Sequence, residues 1–111
     1  SLKVSYSFDD KMQNEKFGIT KDISVGGCLL LATEDLPLNK KIKLEICLNS
    51  KSKKYIYPKG EIVRLNNQGT VINEYGIKFN ELSEADYKEF ENHMFSLMYD
   101  KIGLNDWPTG R

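Results

Sequence analysis

A short polar segment followed by two glycines is the part of this chain best suited to bind a small molecule. Residues 22–27 read DISVGG, and a leucine-rich run follows directly. In an extended backbone Asp22 and Ser24 lie on the same side, where a carboxylate and a hydroxyl can both contact a polar ligand. Gly26 and Gly27 lack the side chains that would keep a ligand away from the backbone. The segment therefore predicts a polar binding edge anchored by a core strand.

Two other interpretations of this segment stand beside binding. Aspartate, serine and glycine favour turns, so Asp22 could simply form an Asx turn that joins two strands. Ser24 could instead be a nucleophile, but the single histidine of the chain, His93, falls in a predicted helix far from it. No paired carboxylates or phosphate-binding loop are present either. We therefore predict no catalytic residue and no enzymatic activity.

Composition restricts the class of protein. The 111 residues suffice for one domain with its own core, and 16 basic residues balance 16 acidic ones, so no nucleic-acid partner is indicated. No apolar run approaches the length of a membrane-spanning helix, and nothing resembles a signal peptide. The cysteines, Cys28 and Cys47, lie in apolar strand patterns and are predicted to be reduced, buried thiols. We expect a cytoplasmic domain without metal, cofactor or membrane insertion.

Alternation of apolar and polar residues dominates the first 80 residues and predicts six or seven short strands. The predicted strands cover 4–8, 17–21, 28–32, 42–48, 55–65 and 70–79. Pro58 and Gly60 mark a bend in the fifth of them, and Gly69 occupies a hairpin turn where a positive φ is needed. Such strands with brief turns are typical of a small antiparallel barrel or sandwich.

A helix is predicted over residues 84–100, with Ser83 as its N-cap and Asp86 three residues later in a capping-box variant. An apolar stripe runs along one helical face and comprises Tyr87, Phe90, Met94, Leu97 and Met98. We expect this stripe to pack across one end of the barrel, and a helix–helix dimer contact is the alternative. Residues 101–111, including Trp107, are predicted to form a tail outside the domain of residues 1–100.

The order of these segments resembles the PilZ domain family. The resemblance rests on Asp22-x-Ser24-x-x-Gly27 between two strands, then KGEIVR at 59–64, YGIKF at 75–79 and Leu82-Ser83 opening a helix. It implies a mainly β fold, a six-stranded antiparallel split barrel with a C-terminal α-helix. Many members are bacterial receptors for cyclic di-GMP, so the resemblance implies this second messenger as the ligand and an attached domain or partner protein as the output.

The resemblance also implies which residues bind. The family's motif contacts a guanine through Asp22, Ser24 and Gly27, and Gly26 lets the purine plane approach the backbone. Binding members carry a second motif, Arg-x-x-x-Arg, just upstream of the first strand; this sequence begins about where that motif would have ended. Lys3 is then the nearest cation for a phosphate, although lysine lacks the bidentate fork of arginine. Two functions follow: a cyclic di-GMP receptor, as a monomer or weak dimer, or a protein-interaction adaptor that binds no nucleotide.

Overall fold

Seven short strands and one C-terminal helix make up the part of the chain that the structure, a computed structural model, describes, namely residues 2–8, 15–67 and 69–102. The elements are β1 (Leu2–Ser7), β2 (Lys16–Ser24), β3 (Gly27–Ala32), β4 (Lys41–Asn49), β5 (Lys54–Ile56), β6 (Lys59–Asn66), β7 (Asn73–Glu81) and α1 (Glu84–Ile102). The helix therefore ends two residues beyond its predicted end. The predicted tail from residue 103 onward, with Trp107, lies outside the described residues.

Six of the strands close into an antiparallel barrel in the order β1-β2-β3-β7-β6-β4, and pairing of β4 with β1 completes the circle. The seventh strand, β5, pairs with the end of β4 that β6 does not cover. Strand pairing is interrupted between β5 and β6, at Tyr57 and Pro58, although the Pro58 carbonyl still accepts the Leu44 N–H at 3.0 Å. The predicted six-stranded barrel with a C-terminal helix is confirmed, and so is the bend at Pro58.

Alternating strand residues fill the interior of this barrel. In β4 the apolar residues Ile42, Leu44, Ile46 and Leu48 are all buried, whereas the residues between them are partly exposed. The same alternation places one side of each neighbouring strand in the core. The rest of the buried apolar cluster is Val4, Tyr6, Cys28, Leu30, Ala32, Leu36, Ile56, Ile62, Tyr75, Ile77 and Phe90.

A buried hydrogen-bond network closes one end of the barrel around Tyr75, which has no exposed surface. Its hydroxyl donates to the Glu34 carbonyl at 2.7 Å and accepts the backbone N–H of Leu36 at 2.8 Å. The side-chain amide of Asn73 donates to the same Tyr75 hydroxyl at 3.2 Å and to the Glu34 carbonyl at 3.1 Å. These bonds fix the segment after β3 against β7 and leave its buried backbone groups satisfied.

The β6–β7 turn differs from the sequence prediction in where the second strand begins. Gly69 has φ 78°, as predicted, and its N–H donates to the Asn67 side-chain oxygen at 2.8 Å. The prediction that a strand resumes at Thr70 is wrong, because β7 begins at Asn73. The Thr70 hydroxyl accepts the N–H of Ile72 at 3.2 Å and so extends the turn by a local side-chain bond that competes with strand pairing.

The start of α1 is tied to the break between β5 and β6. The Ser83 hydroxyl accepts the N–H of Asp86 at 3.1 Å, which is the predicted N-cap. The second half of a capping box is absent, because the buried Asp86 carboxylate instead accepts the backbone N–H of Tyr57 at 2.8 Å. Asp86 therefore satisfies a backbone donor that the strand break would otherwise leave unpaired.

The apolar stripe of α1 is only partly covered by the barrel. Phe90 is buried with 5% of its surface exposed, but Met94, Leu97 and Met98 are 39%, 49% and 53% exposed, and Tyr87 is 45% exposed. The prediction that the stripe packs on the barrel therefore holds only for Phe90. For the three residues after Phe90 the reason is geometric: the helix packs on β5, which has three residues, and then continues past it. The alternative of a helix–helix dimer stays a prediction.

The two cysteines differ in their surroundings, and both are free thiols. Cys28 points into the barrel with 6% of its surface exposed, and burial raises the pKa of its thiol to about 12. Cys47 lies on the outer side of β4 and is half-buried. The sequence prediction that both thiols are buried therefore holds fully only for Cys28.

We expect a thiol reagent such as Ellman's to label the folded protein in two phases at pH 8. The thiolate is the reactive species, so a buried thiol with a pKa of about 12 should react only as the protein unfolds. The fast phase should account for one thiol per chain and should disappear in Cys47→Ser. Equal fast labelling of Cys28 and Cys47 would contradict the burial of Cys28.

Candidate functional site

A β-bulge positions Asp22 at the end of β2. The pairing of β2 with β3 runs from Lys21 opposite Leu29 to Ser24 opposite Gly27, so β2 contains one residue more than its partner. Asp22 takes up the extra length with φ 51°, in the left-handed region that aspartate tolerates better than most residues. Asp22 and Ser24 thus come to one edge through a bulge and not, as predicted, through regular strand alternation.

Ser24 closes the turn between β2 and β3. Its hydroxyl accepts the N–H of Gly26 at 3.2 Å and donates to the carbonyl of Gly27 at 3.4 Å. The carbonyl of Gly26 in turn accepts the N–H of Phe79 from β7 at 2.9 Å. The segment does form a turn, but the Ser24 hydroxyl closes it and not, as the Asx-turn interpretation had it, the Asp22 side chain. This turn does not exclude binding, because the exposed Ser24 hydroxyl keeps one lone pair for a ligand.

The two glycines have different roles in the fold. A Cβ on Gly27 would overlap the carbonyl oxygen of Ile77, so this glycine allows β7 to lie close against β3. A Cβ on Gly26 would meet only the Ser24 hydroxyl, at 3.8 Å. The predicted open approach to the backbone therefore exists at Gly26, whereas Gly27 is required by strand packing as well.

An open cleft of about 610 Å³ lies on the outer side of the barrel over β3, β7 and β6. Asp22, Ser24 and Gly26 lie at its β2–β3 end, together with Gly27. The outer sides of β3 and β7 form its floor, and residues of β6 line the opposite side. The volume falls within the range of small-ligand sites, about 300–1,000 Å³. The structure therefore brings all four predicted motif residues into one cleft.

Two cations that sequence reasoning missed also line this cleft, Arg64 and Lys78. In β6, Ile62 pairs with Ile77 and Arg64 pairs with Gly76, so Val63 is an extra residue in a second bulge. Simple alternation would place Arg64 on the same inward side as Ile62; the bulge turns it outward. In the sequence, only Gly76 indicates this placement, because a glycine leaves room for a neighbouring side chain to lie across its strand. That Arg64 is this neighbour becomes clear only once the strand register is known.

The Arg64 side chain lies across Gly76. Its Nε atom is 3.4 Å and its Nη2 atom 3.6 Å from the position that a Cβ of Gly76 would occupy. Within the described residues, neither Arg64 nor Lys78 has an ion pair or a side-chain hydrogen bond. The cleft therefore has a carboxylate and a hydroxyl at one end and Arg64 on the opposite side. Lys78 lies between them in β7, with Gly27 opposite it in β3 and Glu61 opposite it in β6.

Lys3 is not part of the cleft. It pairs with Ile19 on the outer side of β1 and lines a separate concave surface with Ser5, Phe17 and Tyr55. The predicted phosphate contact from Lys3 thus has no support from its position. The N-terminal end of β1 does lie near the Asp22 end of β2, since Leu2 pairs with Thr20.

Comparison with known proteins identifies the family of this barrel. The family model of the PilZ domain matches residues 2–96. The chain belongs to the PilZ domain family. PilZ domains are a cyclic di-GMP receptor family and are binding or adaptor domains rather than enzymes.

Among solved structures, this PilZ domain is similar to the Bacillus subtilis inhibitor of motility, MotI/DgrA, with a TM-score of 0.69 and 15% sequence identity. The alignment covers 87% of this chain and 47% of that protein, so the chain spans about half the length of MotI/DgrA. At this identity the likeness establishes the shared fold. No curated protein matches the sequence significantly.

In residues 2–8, 15–67 and 69–102, no three His, Cys, Asp or Glu side chains are grouped so that they could hold a metal ion. Across the same ranges, no helix is both long and apolar enough to span a membrane. His93, near the β4–β5 turn, has its pKa lowered by burial.

Proposed function

We propose that this PilZ domain is a cytoplasmic receptor for cyclic di-GMP that passes the binding signal to a partner protein or an attached domain. The observation that carries the proposal is the bulge at Asp22, which brings a carboxylate and the Ser24 hydroxyl to one end of a ligand-sized cleft. The left-handed conformation of Asp22 supports the proposal only through its position, because it directs the carboxylate to the edge of this cleft.

The chemistry of Asp22 and Ser24 suits guanine. Guanine presents two parallel donors on one edge, N1–H and N2–H, and an ionised carboxylate offers two acceptors at matching separation. The remaining lone pair of the Ser24 hydroxyl can accept one further hydrogen bond. The open surface at Gly26 lets the purine plane lie against the backbone.

Titration calorimetry with cyclic di-GMP tests the proposal. We expect binding by the unaltered protein and a loss of about 2–3 kcal/mol in Asp22→Ala, because two charge-assisted hydrogen bonds disappear. Ser24→Ala should lose about 1 kcal/mol, because it removes one neutral hydrogen bond. Glu91→Ala removes another exposed carboxylate, on α1 and away from the cleft, and should leave the affinity unchanged.

The same titration should be repeated with any native Arg-x-x-x-Arg upstream of β1 included. Because the N-terminal end of β1 lies near the Asp22 end of β2, these arginines would reach the cleft and should raise the affinity. If neither form binds cyclic di-GMP, the receptor proposal is wrong and the adaptor function without nucleotide replaces it.

A further inference from the structure

We propose that Arg64 is a ligand-binding residue of this cleft and that its guanidinium binds a phosphate of the nucleotide whose guanine contacts Asp22 and Ser24. This inference rests on the proposed function and adds a cationic contact made by the barrel itself. Lys78 in β7, which pairs with Gly27, is a second cation of the same cleft and lies between Arg64 and the glycine turn.

Two bulges on different strands face the same cleft. The bulge in β2 positions Asp22, and the bulge in β6 turns Arg64 from the inward to the outward side of the barrel. A bulge interrupts ladder hydrogen bonds and persists where it directs a side chain. The two bulges place a carboxylate and a guanidinium at opposite ends of one cleft, which suits a ligand with hydrogen-bond donors at one end and negative charge at the other.

The spacing of the strands fits such a ligand. Gly27 in β3 pairs with Lys78 in β7, and Gly76 in β7 pairs with Arg64 in β6, so the cleft is two strand spacings wide, about 10 Å. Because the Arg64 side chain folds back over Gly76, its guanidinium lies above the middle strand and not beyond β6. A base beside Asp22 therefore has the guanidinium next to its sugar and phosphate.

The charges favour an anion at this position. Within the described residues, Arg64 forms no ion pair, so no internal partner of its guanidinium must be displaced. Lys78 forms no ion pair either, but Glu61 lies opposite it in β6, so Arg64 is the better placed of the two cations to bind an anion. A guanidinium can bind two phosphate oxygens at once, which an ammonium cannot do. This difference predicts that lysine will not fully replace Arg64.

Calorimetry on Arg64 variants tests the inference, with cyclic di-GMP as the ligand. Arg64→Ala should weaken binding by about 10- to 100-fold, the effect of losing a charge-assisted contact, and Arg64→Lys should recover only part of that loss. The control Lys51→Ala removes the same charge from the β4–β5 turn and should leave the affinity unchanged. Gly76→Ala keeps the charge but crowds Arg64, whose Cβ lies 3.3 Å from the added atom, and should cause a smaller loss.

Competition by GMP and by guanosine identifies the atoms that Arg64 contacts. Arg64→Ala should weaken GMP and leave guanosine, which has no phosphate, nearly unchanged; equal weakening of both would overturn the phosphate assignment. If Asp22→Ala weakens cyclic di-GMP binding and Arg64→Ala does not, the inference is wrong while the proposed function stands. If neither the unaltered protein nor the form that includes native upstream arginines binds cyclic di-GMP, both are wrong.

Discussion

Phe90→Ala should lower the free energy of unfolding by about 3–5 kcal/mol, the usual cost of truncating a buried phenylalanine. Phe90 is the apolar side chain through which α1 joins the core, and 5% of its surface is exposed. Its removal leaves a cavity between the helix and the barrel and weakens the anchoring of the helix start. Urea denaturation followed by circular dichroism would measure the change.

Leu97→Ala is the matched control for this experiment. Leu97 lies on the same apolar stripe but is 49% exposed, so its truncation should cost well under half as much. If Leu97→Ala were as destabilising as Phe90→Ala, the distal half of the helix would have to be covered in solution. A Phe90→Ala variant with unchanged stability that lost a dimer would show that the stripe serves assembly instead.

Tyr75→Phe should lower the free energy of unfolding by about 2–4 kcal/mol, although it removes a single oxygen atom. The Tyr75 hydroxyl accepts the N–H of Leu36 at 2.8 Å and donates to the carbonyl of Glu34 at 2.7 Å. The buried Leu36 N–H would be left without a partner, which costs about 1–3 kcal/mol. The Glu34 carbonyl would keep the Asn73 amide but lose one hydrogen bond, worth about 0.5–1.5 kcal/mol. Thermal denaturation and urea denaturation should both show this loss of stability.

The control for this second prediction is Tyr87→Phe, which removes a hydroxyl from a tyrosine that is 45% exposed. Its stability should match that of the unaltered protein, because water can hydrogen-bond that hydroxyl in both the folded and unfolded states. Equal stability of Tyr75→Phe and Tyr87→Phe would mean that water replaces the lost hydroxyl at the barrel end.

Much of the barrel could be predicted from local pattern. The alternation of Ile42, Leu44, Ile46 and Leu48 reflects a strand with one buried face, and Ser83 marks the start of α1. The helical stripe was identified correctly as a set of residues on one face. Its partial exposure could not be predicted, because periodicity defines a face and not the extent of the surface that it packs on.

The candidate site, too, could be predicted from the sequence only in part. Asp22, Ser24, Gly26 and Gly27 are adjacent in sequence, so their motif could be identified before the fold was known, and the structure brings them into one cleft. Arg64 reaches that cleft only because β6 lies beside β7 and carries an extra residue at Val63. Neither strand neighbours nor a one-residue change of register can be inferred from alternation along a single strand.

Closure of the barrel by β1 and β4 has a consequence for how the chain folds. Val4 can pair with Ile46 only after two intervening strands, β2 and β3, have been made, and Leu30 can pair with Tyr75 only after three, β4 to β6. Folds dominated by such distant pairings typically fold in milliseconds to seconds, because loop closure must precede the stabilising contacts. During synthesis the β1–β2 hairpin therefore leaves the ribosome with its apolar face uncovered, and completion of the core depends on the last strand, β7.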